Sequence, residues 1–128
     1  ERLQTIDSNA LPFADNFFDI TIAESCLDSM LFENASALIN EISRVTKKYI
    51  YFSVIACDAN PNNMSAEDVI VETDHELGTI QSYYNEKRII DLVSNFETEI
   101  AFLRKITETE VSQEEPLNAR FYVVLDVS

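Results

Sequence analysis

The sequence has almost no glycine, since Gly78 is the only one among its 128 residues. Loops of the G-x-G-x-x-G type bring backbone amides close to a phosphate or a nucleotide, because a residue without a Cβ permits that approach. No such loop fits into this chain. A nucleotide-type site is therefore either partial here or completed by residues outside the sequence.

Cationic residues are also scarce. Nine Lys and Arg stand against 23 Asp and Glu, which gives a net charge of −14. Nucleic acids and anionic membranes are bound by clusters of cations, so we expect no direct nucleic-acid partner and no membrane partner. No apolar run approaches the roughly 18 residues of a membrane span, and no charged-then-apolar leader opens the chain.

Cysteine is rare as well, with only Cys26 and Cys57 present and no C-x-x-C pair. This usage favours a reducing compartment, and we expect a cytoplasmic location. Together with Asp58, Asp74 and His75 the two cysteines could be imagined as a zinc site. Their spacing matches no metal motif, and buried free cysteines behave as small hydrophobic residues. We therefore predict no metal.

The hydrophobic fraction of 46% is enough for one core, so residues 1–128 are expected to form a single domain. The stretch 18–23 has the period-two pattern of a strand, with Phe18, Ile20 and Ile22 on one face. Asn34 is a candidate helix N-cap. Apolar residues at spacings of three and four then predict an amphipathic helix of about three turns. This apolar stripe consists of Ala35, Leu38, Ile42 and Val45.

The run 49–56 is almost continuously apolar, which is typical of a strand buried in a parallel sheet. Residues 57–84 are long, acidic and weakly patterned, and we interpret them as a lid on the acceptor side with a short strand at 69–71. Asn85 is a second candidate N-cap. The helix after it presents Ile89, Leu92, Val93 and Phe96 on one face.

Two further strands are predicted at 99–106 and 120–127, and the polar turn between them indicates an antiparallel pair. The order is then strand, helix, strand, lid, helix, strand, strand. This order predicts an α/β fold with an antiparallel strand at the edge of its sheet.

One segment carries a family resemblance. Asp7 to Asp19, read D-S-N-A-L-P-F-A-D-N-F-F-D, is similar to the phrase D-A-x-x-L-P-F-x-D-x-S-F-D of class I S-adenosylmethionine-dependent methyltransferases, in the subgroup called type 11. The stretch from Ser82 to Phe96 resembles the closing helix of that family. The whole chain resembles the C-terminal half of such an enzyme.

The resemblance implies a Rossmann-like methyltransferase sheet, here its C-terminal portion, with parallel strands flanked by helices and a terminal antiparallel β-hairpin. It implies S-adenosyl-L-methionine as cofactor, with an incomplete site, because the glycine-rich motif and the ribose-binding acid belong to the other half. By resemblance, Asp7 would accept a hydrogen bond from the adenine amino group. The backbone of Ser8 or Asn9 would meet a ring nitrogen.

The same resemblance places the end of the first strand, Ala23-Glu24-Ser25, beside the methionine portion of the cofactor, where strand ends meet ligands in such sheets. Each assignment has a structural alternative. Asp7 could be a turn acid, and Glu24 could be a solvated charge at a strand end. No catalytic residue is identified.

The acceptor side is less defined. The family's paired histidines are replaced by Asp28 and Ser29. His75, in the lid, has a side chain whose ordinary pKa suits a general base, or it is a plain surface histidine. Tyr83 and Tyr84 either line an acceptor pocket or pack the lid onto the sheet. These three residues are our candidate substrate residues.

The predicted function is transfer of a methyl group from S-adenosylmethionine to an unidentified acceptor, most simply a small molecule. The chain begins at Glu1, so we expect it to be a piece of the enzyme that is inactive on its own. The alternative is a non-catalytic interaction or dimerisation module. In that case an exposed edge of the sheet would pair with a second copy to give a homo-oligomer.

Overall fold

A computed structural model describes residues 9–59, 65–71, 78–109 and 116–128. The candidates Asp7, Ser8 and His75 lie outside the described residues. Within these ranges, six strands, two α-helices and two 3-10 turns follow in chain order. They are β1 (Phe18–Glu24), a 3-10 turn (Leu27–Ser29), α1 (Phe32–Val45), β2 (Thr46–Ile55), a 3-10 turn (Cys57–Ala59), β3 (Asp68–Ile70), β4 (Ile80–Ser82), α2 (Glu86–Leu92), β5 (Glu99–Thr109) and β6 (Pro116–Asp126).

The main sheet has four strands in the order β1-β2-β6-β5. β1 and β2 are parallel neighbours, while β6 is antiparallel to both β2 and β5. The predicted α/β class and terminal hairpin are confirmed. The expected antiparallel edge is present as the β5–β6 pair, in which β5 is the edge strand and β6 lies between β5 and β2. β6 suits this position, since Phe121, Val123 and Leu125 are buried along it.

One face of this sheet carries the hydrophobic core. Alternate residues of β2 and β6 are almost fully buried there, as are the inward residues of both helices. α1 connects the parallel strands β1 and β2, which is the usual origin of a helix on a sheet face. The core cluster includes Ile50, Phe52, Val54, Val123 and Leu125 from the sheet, with Ala35, Ile39, Ile42, Val45, Ile89 and Leu92 from the helices.

The opposite face of the sheet is bare of helices among the described residues. The period-two pattern predicted for β1 is present, but its apolar face is the exposed one, with Ile20 57% and Ile22 67% exposed. The neighbouring side chains on this face are exposed or half-buried, and they include Tyr49, Phe102 and Ile106.

One of the two helix starts differs from the prediction. α1 begins at Phe32 rather than after Asn34, and its N-cap residue Leu31 has no side-chain cap. The Phe32 N–H instead donates to Asp68 Oδ2 at 2.9 Å, a partner 36 residues away that local sequence cannot reveal. α2 begins as predicted, with Asn85 Oδ1 accepting from the Arg88 N–H.

The lid interval 57–84 contains structure of its own. β3 and β4 form an antiparallel pair, which confirms the short strand expected near 69–71. Gly78 leads into β4 with a φ of 85°, a left-handed conformation that glycine adopts freely. Among the described residues, no helix is long and apolar enough to cross a membrane.

Candidate functional site

A polar cavity opens where β1 and β2 both end, at the carboxyl edge of the parallel strands. Its volume is about 160 Å³. Ligands of α/β proteins bind at this edge, because chain segments leaving neighbouring strands diverge there. The cavity is lined by the end of β1, the turn after it, the end of β2, the lid strand β4 and the first half of β6. The lining residues are Ser25, Asp28, Ser29, Ile55, Gln81 and Arg120.

Asp28 is the anchor of this cavity. Its side chain is only 6% exposed. Its Oδ2 accepts hydrogen bonds from the Ile55 N–H at 2.8 Å and from Arg120 Nη2 at 3.0 Å. A buried carboxylate is tolerated only when it is paired and hydrogen-bonded in this way. Asp28 therefore ties the turn after β1 to the end of β2 and to β6.

Ser25 and Ser53 complete the contacts of Arg120. Both hydroxyl oxygens lie 3.2 Å from Arg120 Nη2 and accept from it, and the Ser25 N–H lies 3.4 Å from Ser53 Oγ. Ser25 has a φ of 54°. Such a left-handed residue other than glycine costs on the order of 1–3 kcal/mol and concentrates at functional sites. The strain turns the chain sharply at the end of β1 and brings Ser25 to the cavity.

The described cofactor candidates lie in three places, namely the core, the cavity and the exposed surface. Ala23 is 5% exposed and belongs to the core cluster, so only its backbone is available to a ligand. Glu24 is exposed at the last position of β1. Ser25 lines the cavity, and Asn9 is exposed in a turn. Glu24 and Ser25 are thus the two predicted residues that the fold places together at the strand end.

The Leu-Pro-Phe segment is fastened to α1 by a polar clamp that the sequence analysis did not identify. Arg44 donates to the carbonyl oxygens of Leu11 and Phe13, both at 2.9 Å, and to Asp15 Oδ1 at 2.8 Å. Glu41 accepts from Arg44 Nε and from the Leu11 N–H, both at 2.8 Å. The hydrogen bond from Arg44, followed by that from Leu11, lowers the pKa of the Glu41 carboxyl. Part of the family phrase therefore has a structural role.

The two candidate tyrosines of the lid are both buried. Tyr83 is 9% exposed, and its hydroxyl donates to Gln81 Oε1 at 2.5 Å, so it contacts a residue of the cavity wall. Tyr84 is fully buried in the core cluster. Burial of the phenol is the main reason that the pKa of Tyr84 rises to about 12. The Tyr83 hydroxyl contacts a residue of the cavity wall, whereas the Tyr84 ring packs in the core. A substrate role for either tyrosine stays a prediction.

A second polar cluster ties the β3–β4 pair to the helices. Asp68 accepts from the Phe32 N–H at 2.9 Å, from Ser82 Oγ at 2.5 Å and from Arg88 Nη2 at 2.7 Å. The Arg88 guanidinium lies over the rings of Phe32 and Tyr84, 4.6 Å and 5.1 Å from their centroids. We call Asp68, Arg88, Phe32, Ser82 and Tyr84 the lid tie. It fixes the strand that carries Gln81 to the cavity wall.

Sequence reasoning missed Arg120 and gave Asp28 no role beyond replacing a histidine. One signal for Arg120 was available, because it is a lone cation next to the apolar run 121–125. Nothing local indicates that β6 inserts beside β2, which is what brings Arg120 to Asp28. Within the ranges that the structure describes, no group of three or more His, Cys, Asp or Glu side chains is arranged to hold a metal ion.

Comparison with known proteins supports the resemblance. Residues 2–54 match the family model described as a methyltransferase domain. The fold is similar to a S-adenosylmethionine-dependent methyltransferase from Methanosarcina mazei, with TM-score 0.76 and 18% identity over 96% of this chain and 65% of that one. It is also similar to a S-adenosylmethionine-dependent methyltransferase from Clostridium acetobutylicum, with TM-score 0.65 and 11% identity over 98% and 64%.

A third similar structure is the magnesium protoporphyrin IX methyltransferase from Synechocystis with bound S-adenosylmethionine. Its TM-score is 0.62 and its identity 14%, over 98% of this chain and 45% of that one. Identities this low show the fold alone. The chain spans less than two thirds of the length of each of these three enzymes. No curated protein matches the chain in sequence.

Proposed function

This chain resembles the C-terminal half of a class I S-adenosylmethionine-dependent methyltransferase of type 11, and we propose that it forms the acceptor-side half of such an enzyme. The observation that carries the proposal is the polar cavity at the carboxyl ends of β1 and β2. Three of its lining residues, Ser25, Asp28 and Ser29, belong to the segment that matches the methyltransferase model. The cavity lies at the edge of the sheet where ligands of such folds bind.

The residues of this chain fit one side of the cofactor only. Glu24 and Ser25 offer a carboxylate and a hydroxyl at the end of β1. Asn9 stands two positions after the predicted adenine acceptor Asp7 and two before Leu11, whose N–H and carbonyl are held by Glu41 and Arg44. A glycine-rich turn is absent from the sequence. Asp7, Ser8 and Asn9 would hold the adenine end and Ala23, Glu24 and Ser25 the methionine end, with the remaining contacts made elsewhere.

The bound cofactor supplies an electrophilic methyl group on a sulfonium centre. This chain would orient the acceptor in the cavity, with Ser25, Gln81 and Arg120 around it. The described contacts name no catalytic base, and positioning of two reactants can by itself remove about 7–11 kcal/mol of a barrier. The proposed reaction therefore rests on alignment in the cavity, with the acceptor a small molecule that enters from the lid side.

Cofactor binding is the direct test. We expect S-adenosylhomocysteine to raise the melting temperature of the full-length protein, because ligand at 100 times Kd stabilises the native state by about 2.7 kcal/mol. Asp7→Ala should reduce this shift, since it removes the predicted acceptor of the adenine amino group. Asp19→Ala, a matched acid on β1, should leave the shift intact. No stabilisation at saturating ligand would contradict the proposal.

The second candidate function is a non-catalytic dimerisation module. The observation in its favour is the free side of β1, which pairs with β2 and with no other described strand, beside the exposed Ile20 and Ile22. An uncovered strand edge is a template for pairing with another chain. Light scattering after size-exclusion chromatography separates the two ideas. A dimer that Ile22→Lys dissociates, combined with no cofactor binding, would favour the module.

A further inference from the structure

We propose that Arg120 binds a carboxylate group of the methyl acceptor and thereby restricts the acceptor to acids. This inference rests on the proposed function, because it names the class of acceptor that the cavity takes. Arg120 is the one cationic side chain among the residues that line the described cavity. It stands at the carboxyl edge of β1 and β2, paired in register with Ile55, the last residue of β2.

Part of the Arg120 guanidinium has no hydrogen-bond partner among the described residues. A guanidinium carries five N–H groups. Toward the described residues only Nη2 donates, and its two N–H groups are shared among Asp28, Ser25 and Ser53. Nη1 and Nε donate to none of the residues that the structure describes. Their three N–H groups are therefore available to a ligand, and Arg120 retains 19% of its side-chain exposure.

The guanidinium is also held in place before any ligand arrives. Asp28 is 6% exposed and Ser53 is fully buried, and both bind the same Nη2 atom. An arginine fixed in this way loses little conformational freedom on binding, which favours affinity. A planar fork with free N–H groups matches a carboxylate better than it matches a single hydroxyl or amide oxygen. This match is the reason for choosing an acid.

The charges around Arg120 favour recognition of the ligand by direct contact. Asp28 balances the charge of Arg120 inside the cavity, and the chain as a whole carries −14. Repulsion between exposed charges is largely screened beyond about 8 Å at physiological salt. Recognition would therefore depend on direct hydrogen bonds to Arg120 and not on long-range attraction. A neutral analogue of the same shape isolates that contribution.

The test uses the full-length protein saturated with S-adenosylhomocysteine, and propionate as the probe. Propionamide, which has nearly the same shape without the charge, is the matched control ligand. We expect propionate to shift the Arg120 Nε–H signal in NMR spectra in a saturable manner, while propionamide does not. Arg120→Lys keeps the positive charge beside Asp28 but removes the fork, so propionate affinity should fall about tenfold, the scale of one charge-assisted hydrogen bond.

Arg104→Lys is the matched control variant, because Arg104 is an exposed arginine on the edge strand β5 and lines no part of the cavity. It should bind propionate as the parent protein does. The inference is overturned if propionate gives no saturable shift, if propionamide binds equally well, or if Arg120→Lys leaves the affinity unchanged. If Arg120→Lys does not fold, the Arg120 signal of the parent protein still decides between the two ligands.

The same experiment separates this inference from the proposed function. Titration with S-adenosylhomocysteine alone tests the methyltransferase assignment. Propionate binding at Arg120 without any binding of S-adenosylhomocysteine would refute the enzyme, and with it the role of the bound acid as acceptor. Binding of S-adenosylhomocysteine without binding of propionate would overturn the acid specificity and leave the enzyme standing.

Discussion

The two faces of the four-stranded sheet differ more than any other pair of regions in this molecule. On one face Ile50, Phe52 and Val54 are fully buried beneath α1 and α2. On the other face Ile20 and Ile22 are more than half exposed, although they stand on the strand next to β2. Both faces carry large apolar side chains, but the described part of the chain covers only one.

This difference bears on the proposed function. Sheets with parallel strands are normally covered on both faces, because the connections between parallel strands place helices there. An apolar face without a cover is a surface that another chain segment or another molecule would stabilise. The covered face therefore holds the packed core, and the bare face is the surface that a further segment of the proposed enzyme or a second molecule would stabilise.

The largest expected effect is on the free energy of unfolding, when an isoleucine on each face is replaced by alanine. In the polypeptide 1–128, Ile50→Ala should lower the free energy of unfolding by about 2–5 kcal/mol, because it leaves a cavity in a packed core. Ile22→Ala, which is 67% exposed, should change it by less than about 0.5 kcal/mol. Urea denaturation measures both.

Repeating the pair in the full-length protein sharpens the comparison. If another segment of the proposed enzyme packs on the bare face, the cost of Ile22→Ala should rise to more than about 1 kcal/mol there, as for a buried isoleucine. An effect of Ile22→Ala that stays negligible in the full-length protein would mean that this face has another use.

The next effect concerns the lid tie, which connects β3 and β4 to the two helices. Arg88→Met removes the ion pair with Asp68 and leaves a half-buried carboxylate without its cation, so we expect a loss of about 1–3 kcal/mol in unfolding free energy. Lys87→Met, one residue earlier, removes an exposed pair with Asp91 and should cost less than about 0.5 kcal/mol. Equal effects of the two variants would show that the lid tie adds nothing.

Hydrogen exchange gives a local view of the same variant. The Tyr83 N–H, which donates to the Glu67 carbonyl, should exchange faster in Arg88→Met than in Lys87→Met. Exchange reports local opening that a global melt averages out.

The sequence predicted elements whose signals are local. The stripe of α1, the Asn85 cap and the apolar runs of β2 and β6 correspond to real helices and strands, because period and capping act over a few residues. The sequence could not predict contacts that need the assembled sheet. The insertion of β6, the Asp28–Arg120 pair and the capping of Phe32 by Asp68 join residues 36 to 92 positions apart. The same pattern that located β1 could not say which of its faces is exposed.

The pH dependence of stability should come from the covered side of the molecule. Burial alone would raise the pKa of Asp68, but hydrogen bonds from Ser82, Phe32 and Arg88 outweigh it, and the pKa lies below its ordinary value of 3.8. A lowered folded-state pKa contributes stability that is present above the unfolded value and lost as the pH falls through the folded value. The unfolding free energy should therefore decline below about pH 4.

The variant Asp68→Asn tests this assignment, since an amide does not titrate. Urea denaturation between pH 6 and pH 2 should show a shallower decline for Asp68→Asn than for the parent chain. Glu33→Gln, an exposed acid in the first turn of α1, serves as the control and should follow the parent curve. Identical slopes for Asp68→Asn and the parent would exclude the lid tie as a source of acid sensitivity.

The smallest expected effect distinguishes packing from a substrate role for the two lid tyrosines. The Tyr84 hydroxyl is buried and has no hydrogen-bond partner among the described residues, so Tyr84→Phe should be neutral or stabilising by up to about 1 kcal/mol. Tyr83→Phe breaks the hydrogen bond to Gln81 in the cavity wall and should destabilise by about 0.5–1.5 kcal/mol. Once an acceptor is known, its KM should respond to Tyr83→Phe and not to Tyr84→Phe. The Tyr83 hydroxyl donates to Gln81 in the cavity wall, whereas Tyr84 pairs with Ile55 through its backbone N–H, which Tyr84→Phe leaves intact. A change in KM with Tyr84→Phe alone would place the acceptor on the covered side of the sheet. That result would contradict the prediction, because the packed core fills this side.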